Sequence, residues 1–183
     1  MPCFAVIDTE TNWADQVMSI GMVIADTDTF RPVEAKYYIL PEYCQIGGMY
    51  YDALFLETPV KPICCTRQEA VQDLLAWLAQ HGVSAIFAYN ASFDRNHLPE
   101  LRALRWYDIM RLAAYRQHNP KIPVNADLCS TGRLKRGYGV EPMLRLLSGS
   151  SGYRETHNAI LDALDELEIM RLLGHLPENY ILL

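Results

Sequence analysis

The chain opens with a short apolar run that ends in two carboxylates two residues apart. Residues 4–7 (FAVI) have the character of a buried strand, and Asp8 and Glu10 follow them. Because residues i and i+2 of a strand point to the same face, the two carboxylates are predicted to lie side by side. Like charges this close raise each other's pKa unless a cation lies between them. Since hard divalent cations prefer oxygen ligands, the pattern predicts a metal site at the end of this strand.

The order of the remaining segments predicts an α/β fold. Residues 17–25 and 33–40 have strand character, so three consecutive strands should form an antiparallel meander. Thr66 and Glu69 form a capping-box pattern that begins a helix ending near Gly82. The other predicted elements are an irregular segment at 41–65, a buried strand at 84–89, and helices at 92–104, 106–116, 141–147 and 156–173. A mixed sheet covered by helices is the expected architecture.

Length and composition favour one soluble domain spanning residues 1–183. Half of the residues are hydrophobic and 21% are charged, which is typical of a globular protein. No apolar run is long enough to cross a bilayer and no signal-like segment begins the chain, so we expect a cytoplasmic protein without a membrane partner. The five cysteines are odd in number and contain no CxxC pair, which indicates neither a zinc site nor a disulfide framework.

The charge is distributed unevenly along the chain. The net charge is −6, yet residues 95–154 contain 11 Lys or Arg against 4 Asp or Glu. Such a segment could line a groove for a polyanion beside an acidic metal pocket. It could equally be a solvated face that happens to carry several arginines. Both interpretations are open at this point.

Two later stretches are polar where packing alone would not require it. AYNASFDRNHL places Asn90 and Asp94 after the buried strand, and ETHNAILDALDELEIMRLL places His157 and Asp162 near the start of the last helix. Five helical residues turn the chain through roughly 140°, so His157 and Asp162 cannot share a helix face. His157 is therefore predicted in the first turn or in the loop before it, where it can reach over a pocket that Asp162 enters.

These stretches resemble the three motifs of a known nuclease family. Asp8-x-Glu10, Asn90-Ala-Ser-Phe93-Asp94 and His157-x4-Asp162-Ala163 are similar to the motifs of the DEDDh 3′–5′ exonucleases, the DnaQ-like branch of the ribonuclease H-like superfamily. The flanking segments MSIGMVIAD and WYDIMRLAAYR also resemble the family. The resemblance implies a ribonuclease H-like mixed sheet of five strands, the first three antiparallel, flanked by helices.

The resemblance also implies an activity. Asp8, Glu10, Asp94 and Asp162 would hold two Mg²⁺ or Mn²⁺ ions, and His157 would be the general base. The implied reaction is stepwise hydrolysis of single-stranded RNA or DNA from the 3′ end to nucleoside 5′-monophosphates. The sequence does not separate RNA from DNA.

Substrate contacts are predicted around the first two motifs, and the candidates are Thr9, Thr11, Trp13 and Asn90. Trp13 could stack on the terminal base, although TETNW lacks the glycine that many family members have near this position. Asn90 could instead stabilise a turn, and Asp108 is expected to support the site without binding metal. Tyr50, Tyr51 and Phe55 are further stacking candidates.

Two other functions are compatible with the same residues. One is a catalytically idle nucleic-acid-binding module that keeps the fold as a scaffold, although such a module has no need of four crowded carboxylates. The other is a phosphodiesterase that acts on dinucleotides or very short oligomers. A homodimer is also open, because family members frequently pair, but no apolar pattern marks a pairing surface.

Overall fold

The computed structural model describes residues 2–183 and contains a six-stranded mixed sheet. The strands are β1 (Cys3–Thr11), β2 (Val17–Asp26), β3 (Pro32–Ile39), β4 (Ile63–Cys64), β5 (Ala85–Ala88) and β6 (Arg105–Asp108). Their order across the sheet is β4-β3-β2-β1-β5-β6. The first three strands pair antiparallel, whereas β5 is parallel to β1, β6 to β5 and β4 to β3. The carboxyl ends of β1, β5 and β6 therefore meet at one edge of the sheet.

Within residues 2–183, six α-helices accompany the sheet. They are α1 (Pro41–Cys44), α2 (Arg67–Gln80), α3 (Ser92–His97), α4 (Met110–Ala113), α5 (Val140–Ser148) and α6 (Ala159–Leu173), with 3₁₀ turns at Tyr51–Phe55, Pro99–Leu101 and Pro177–Asn179. Thr66 and Glu69 form the predicted capping box, and Gly174 ends α6 in the left-handed conformation. Within residues 2–183, no helix has the length and apolar character needed to cross a membrane.

The alternation of side chains along β1 divides the core into two layers. Phe4 and Val6 belong to the apolar cluster that contains residues of α5 and α6, whereas Ala5 and Ile7 belong to the cluster that contains residues of α2. Asp8 and Glu10 continue the alternation of Phe4 and Val6. The sheet therefore turns both carboxylates toward the side covered by α6.

Gly21 allows α6 to approach the sheet closely. It is the partner of Asp8 in the β1–β2 register, and a Cβ at this position would lie 2.2 Å from the backbone carbonyl of Ala159. That distance is impossible for a side chain, so only glycine permits the first turn of α6 to rest on β2. The close packing brings the start of α6 against the end of β1.

The predicted fold class and the three antiparallel strands are confirmed, with six strands in place of the expected five. The predicted helix at 106–116 is wrong, because Arg105–Asp108 pairs with β5 and only Met110–Ala113 is helical. Trp106 is 1% exposed as part of the strand, and this burial outweighs the helix propensity of the surrounding residues. Likewise, Ile63–Cys64 adds to the sheet from the segment expected to be irregular, and α6 begins at Ala159 rather than at residue 156.

Candidate active site

The carboxyl ends of the parallel strands gather six acidic side chains of low exposure. They are Asp8 and Glu10 on β1, Asp94 on α3, Asp108 at the end of β6, and Asp162 and Glu166 on α6. Each has a pKa above its ordinary value, and the largest cause in every case is burial, which penalises the charged form. A cluster of buried acids with raised pKa values is typical of a functional site.

Asp8 and Glu10 lie at the centre of this cluster. Burial raises the pKa of Asp8 well above its usual range, and the neighbouring Asp94 and Glu166 raise it further. Burial and then the charge of Asp162 raise the pKa of Glu10 to about 9. The Oδ2 atom of Asp8 is buried and has no hydrogen-bond partner among residues 2–183. A buried carboxylate oxygen without a partner is costly unless a ligand completes its coordination.

Thr9, which lies between Asp8 and Glu10 on β1, orients the side chain of Asp94. Its hydroxyl donates a hydrogen bond of 2.7 Å to Oδ1 of Asp94, and both side chains are buried. Burial raises the pKa of Asp94 to about 7, while the hydrogen bond from Thr9 opposes that rise. The structure thus places Thr9, a predicted substrate contact, against a carboxylate of the site.

Glu10, His157 and Asp162 converge from three parts of the chain. One potential ligand atom of each lies within 4.8 Å of those of the other two. Asp162 is in the first turn of α6, and burial followed by the charge of Glu155 raises its pKa to about 8. His157 lies in the loop before α6 with a left-handed backbone, φ +54°. This loop position lets the imidazole and the Asp162 carboxylate face the same pocket.

The His157 ring is held from two sides. The ring of Tyr50 stacks on it with centroids 3.8 Å apart and an angle of 16° between the planes, and Oε1 of Glu155 lies 4.0 Å from Nδ1. The adjacent Asn158 is the N-cap of α6 and donates a 2.6 Å hydrogen bond to the carbonyl of Ala53. The loop before α6 and the segment containing Tyr50 are therefore fixed to each other.

Asp108 stabilises the turn that contains Asn90 at the end of β5. Oδ1 of Asp108 accepts hydrogen bonds from the backbone amides of Asn90 and Met110, at 3.1 and 3.0 Å. Asn90 has a left-handed backbone, φ +61°, which asparagine tolerates better than most residues. Its side chain is exposed and has no hydrogen bond within residues 2–183. Asp108 thus supports a turn, and the Asn90 amide faces outward beside the site.

Glu166 and the contact of Tyr50 with His157 are parts of the site that the sequence did not predict. Glu166 is 1% exposed, and its Oε2 accepts a 3.0 Å hydrogen bond from the amide of Tyr89. The signal for Glu166 was its i+4 spacing from Asp162, which places both acids on one buried face of α6. Tyr50 was considered only as a base-stacking residue. No local pattern reveals its contact with His157, because the two residues are distant in the chain.

A cavity of about 360 Å³ opens beside Glu10. It is lined by Glu10, Thr11, Trp13, Met49, Tyr50 and Phe93. The side chain of Trp13 is 66% exposed. The loop that contains Trp13 is stabilised by Oδ1 of Asn12, which accepts hydrogen bonds from the backbone amides of Ala14 and Gln16. Aromatic side chains from three segments beside a carboxylate cluster suit a flat ligand, such as a nucleotide base.

The donor set fits divalent cations. Asp8, Glu10, Asp94 and Asp162 supply carboxylate oxygens from three elements, and without a cation their raised pKa values favour bound protons. The unpartnered Oδ2 of Asp8 points to the same need for a positive ligand. Oxygen-rich sites of this kind suit Mg²⁺ or Mn²⁺.

No family model matches the chain, and no curated protein matches its sequence. Among solved structures it is similar to the nuclease domain of 3′hExo, a DEDDh family member bound to rAMP, with a TM-score of 0.68, 13% identity and coverage of 99% of this chain and 96% of that one. The chain has the fold of the DEDDh nucleases. The chain is also similar in fold to a full-length 3′-exonuclease, with a TM-score of 0.63, 14% identity and coverage of 92% of this chain and 80% of that one.

A third similar solved structure concerns 3′-end specific recognition of a histone mRNA stem-loop by a 3′-exonuclease. Its TM-score is 0.62 at 11% identity, with coverage of 99% of this chain and 70% of that one. The three comparisons confirm the fold expected from the sequence motifs. A shared fold does not fix an activity, so the function of this chain depends on its own site residues.

The metal-free protein is expected to lose stability as pH rises from about 4 to about 9. Asp94, Asp162 and Glu10 have folded-state pKa values of about 7, 8 and 9, all above their unfolded values. The folded state therefore binds more protons in this window, so the free energy of unfolding falls as those protons are lost. In chelator, the melting temperature at pH 8.5 should be at least about 2 °C below that at pH 6, because about 1 kcal/mol shifts the melting temperature by about 2 to 4 °C in a chain of this size.

Added Mg²⁺ or Mn²⁺ is the control for this pH experiment. A cation that binds the deprotonated carboxylates stabilises the folded state most at high pH. It should therefore reduce the difference between the melting temperatures at pH 6 and pH 8.5. A melting temperature in chelator that stays constant or rises from pH 6 to pH 8.5 would contradict the raised pKa values.

Proposed function

We propose that this chain, as one domain of residues 1–183, is a metal-dependent 3′–5′ exonuclease acting on single-stranded nucleic acid. The observation that carries the proposal is the convergence of Asp8, Glu10, Asp94, His157 and Asp162 beside an aromatic pocket. Four carboxylates crowded in one place would repel a phosphate, so they suit hydrolysis only together with cations. The products are nucleoside 5′-monophosphates.

Each part of the site has a chemical role in this proposal. Two Mg²⁺ or Mn²⁺ ions held by the four carboxylates would supply a more acidic water and neutralise charge on the scissile phosphate and the leaving oxygen. His157 accepts the proton of the water as the water oxygen bonds to phosphorus and the bond to the 3′ oxygen of the preceding nucleotide breaks. Thr9 keeps Asp94 oriented, and Tyr50 keeps the imidazole in place.

The aromatic pocket is proposed to hold the 3′-terminal nucleotide. Trp13 and Phe93 are partly exposed and line the same pocket as Glu10, so a base that stacks on either ring would bring its phosphate toward the carboxylates. Thr11 lines the same pocket and Asn90 presents a free amide beside the site, so both are proposed substrate contacts. A pocket of about 360 Å³ is at the small end of ligand sites, which suits one nucleotide.

Replacement of Trp13 by alanine is expected to weaken substrate binding. Stacking contributes about 1 to 3 kcal/mol per base, so KM for a single strand should rise between about fivefold and about a hundredfold. Because Trp13 is 66% exposed, the melting temperature should change little. Steady-state kinetics and thermal melts on the same preparation check both expectations. An unchanged KM with normal stability would exclude Trp13 from the base pocket.

The activity is tested with matched, 5′-labelled single-stranded RNA and DNA oligomers in Mg²⁺ or Mn²⁺. We expect stepwise shortening from the 3′ end that stops in excess chelator and in the Asp94→Asn variant. The faster substrate identifies the preferred nucleic acid. Binding without shortening of either strand would contradict the exonuclease and favour an idle binding module.

A further inference from the structure

Two pairs of arginines in the basic middle segment lie at different places relative to the sheet. Arg102 and Arg105 lie just before and at the amino end of β6, at the edge of the sheet opposite the carboxylates. Arg133 and Arg136 belong to the loop that precedes α5, which we call the basic loop (residues 133–138). Of these two pairs, the second belongs to a loop that is hydrogen-bonded to the carboxylate edge.

A hydrogen bond ties the basic loop to the carboxylate edge. Tyr89 follows β5 and directly precedes Asn90, and its hydroxyl donates a 2.5 Å hydrogen bond to the carbonyl of Tyr138. Tyr89 continues the β5 alternation that faces the α6 side, as Asp8 and Glu10 do on β1. The basic loop therefore stands on the same face of the sheet as the carboxylates, on the β5 side.

The basic loop combines exposed positive charge with an aromatic surface. The Arg133 guanidinium lies 4.4 Å from the centre of the Tyr138 ring, and that tyrosine is 37% exposed. Within residues 2–183, neither Arg133 nor Arg136 forms an ion pair, whereas Lys135 pairs with Asp127 at 2.9 Å. Two uncompensated arginines beside a tyrosine can bind phosphates and stack a base.

The pocket and the basic loop lie on opposite sides of β1. Trp13 is in the β1–β2 turn, whereas the basic loop is attached next to β5, and β1 lies between β2 and β5 in the sheet. A strand whose terminal base occupies the pocket passes its phosphate over the β1 carboxylates and then reaches the basic loop. The chain direction across the site follows from this arrangement.

We propose that the basic loop binds the nucleotides on the 5′ side of the scissile bond, through phosphate contacts of Arg133 and Arg136. This rests on the proposed exonuclease function and deepens it. The preferred substrate is then an oligonucleotide of several residues rather than a dinucleotide, because a dinucleotide without a 5′ phosphate carries only the scissile phosphate and offers the two arginines no other.

The proposal is tested by fluorescence anisotropy, which measures binding of a hydrolysis-resistant strand of about 12 nucleotides over a range of salt concentrations. This length lies within the roughly 4 to 16 nucleotides that one single-strand-binding domain covers. The test variant is Arg133→Ser with Arg136→Ser, and Arg136→Ser alone is a second variant in which the Arg133–Tyr138 contact remains. Arg102→Ser with Arg105→Ser changes the charge equally at the opposite edge. The salt slope is the slope of the logarithm of the binding constant against the logarithm of the salt concentration, and each lost phosphate contact lowers its magnitude by about 0.7. The slope of the test variant should therefore be smaller in magnitude than that of the wild type by about 1.4. The slope of the control should equal that of the wild type.

Equal slopes in the wild type, the test variant and the control would overturn the proposal. Hydrolysis of a dinucleotide, measured on the same proteins, reports the catalytic site alone and should be equal in all of them. If the wild type hydrolyses nothing but the slope still changes as expected, the exonuclease fails while the basic loop stands as a binding surface. If dinucleotide hydrolysis is normal and the slopes do not differ, the basic loop fails while the exonuclease stands.

Discussion

Asp8→Asn is expected to abolish hydrolysis and, at the same time, to raise the melting temperature of the metal-free protein. Asp8 supplies a carboxylate at the centre of the site, and its raised pKa shows that its charge is unfavourable there. The amide keeps the shape and removes the charge, which relieves repulsion from Asp94 and Glu166. Loss of a metal ligand costs several kcal/mol of transition-state stabilisation, so the rate should fall at least about 10³-fold.

Two measurements on the same variant separate a functional from a structural role. Strand-shortening rates in Mg²⁺ give the loss of activity, and thermal melts in chelator and in Mg²⁺ give the change in stability. Asp28→Asn, in the exposed β2–β3 turn, is the matched control and should alter neither. An Asp8→Asn protein that melts below the wild type in chelator would show that the carboxylate stabilises the metal-free fold, contrary to the expectation.

The loss of activity and the gain in stability expected for Asp8→Asn have the same cause, which is that the buried carboxylates that serve the site also lower the stability of the fold. Acidic side chains that are buried together destabilise the folded chain, and such a cost is typical of sites that the function of a protein requires. The cost is visible in Oδ2 of Asp8, which has no hydrogen-bond partner within residues 2–183. It is limited by Thr9 and by the amide of Tyr89, which give hydrogen bonds to Asp94 and Glu166. The neighbouring hydrogen bonds hold the acids in place without neutralising them.

The sequence predicted those parts of the site that depend on local periodicity. The two-residue repeat of β1 placed Asp8 and Glu10 on one face, and the helical repeat separated His157 from Asp162. Both rules use only neighbouring residues, so they hold whatever the rest of the chain does. The capping box at Thr66 and Glu69 was predictable for the same reason.

Features that depend on distant contacts could not be predicted. Arg105–Asp108 forms a strand because β5 is beside it, although its sequence resembles the start of a helix. The stacking of Tyr50 on His157 joins residues more than a hundred positions apart, and the attachment of the basic loop joins Tyr89 to Tyr138. In each case the decisive partner is brought close only by the completed fold, so composition and spacing contain no signal for it.

His157→Asn is expected to lower the rate of the chemical step by about 10² to 10⁴, the usual contribution of a general base. Asparagine tolerates the left-handed backbone at this position, φ +54°, so the loop before α6 should keep its conformation. Because Trp13 and Phe93 line the pocket, binding of the strand should be nearly unchanged. Single-turnover rates at saturating enzyme, with anisotropy for binding, separate the two quantities.

The control for this last experiment is His81→Asn. His81 lies at the end of α2, where Nε2 is 2.9 Å from Oε2 of Glu34, and it is absent from the residues that gather at the carboxylate edge. Its replacement should leave both the rate and the binding unchanged. If His157→Asn retained the wild-type single-turnover rate, another group would have to accept the proton of the water. The nearest alternative is Glu155, whose carboxylate lies 4.0 Å from the His157 ring, and Glu155→Gln would then be the variant that loses activity.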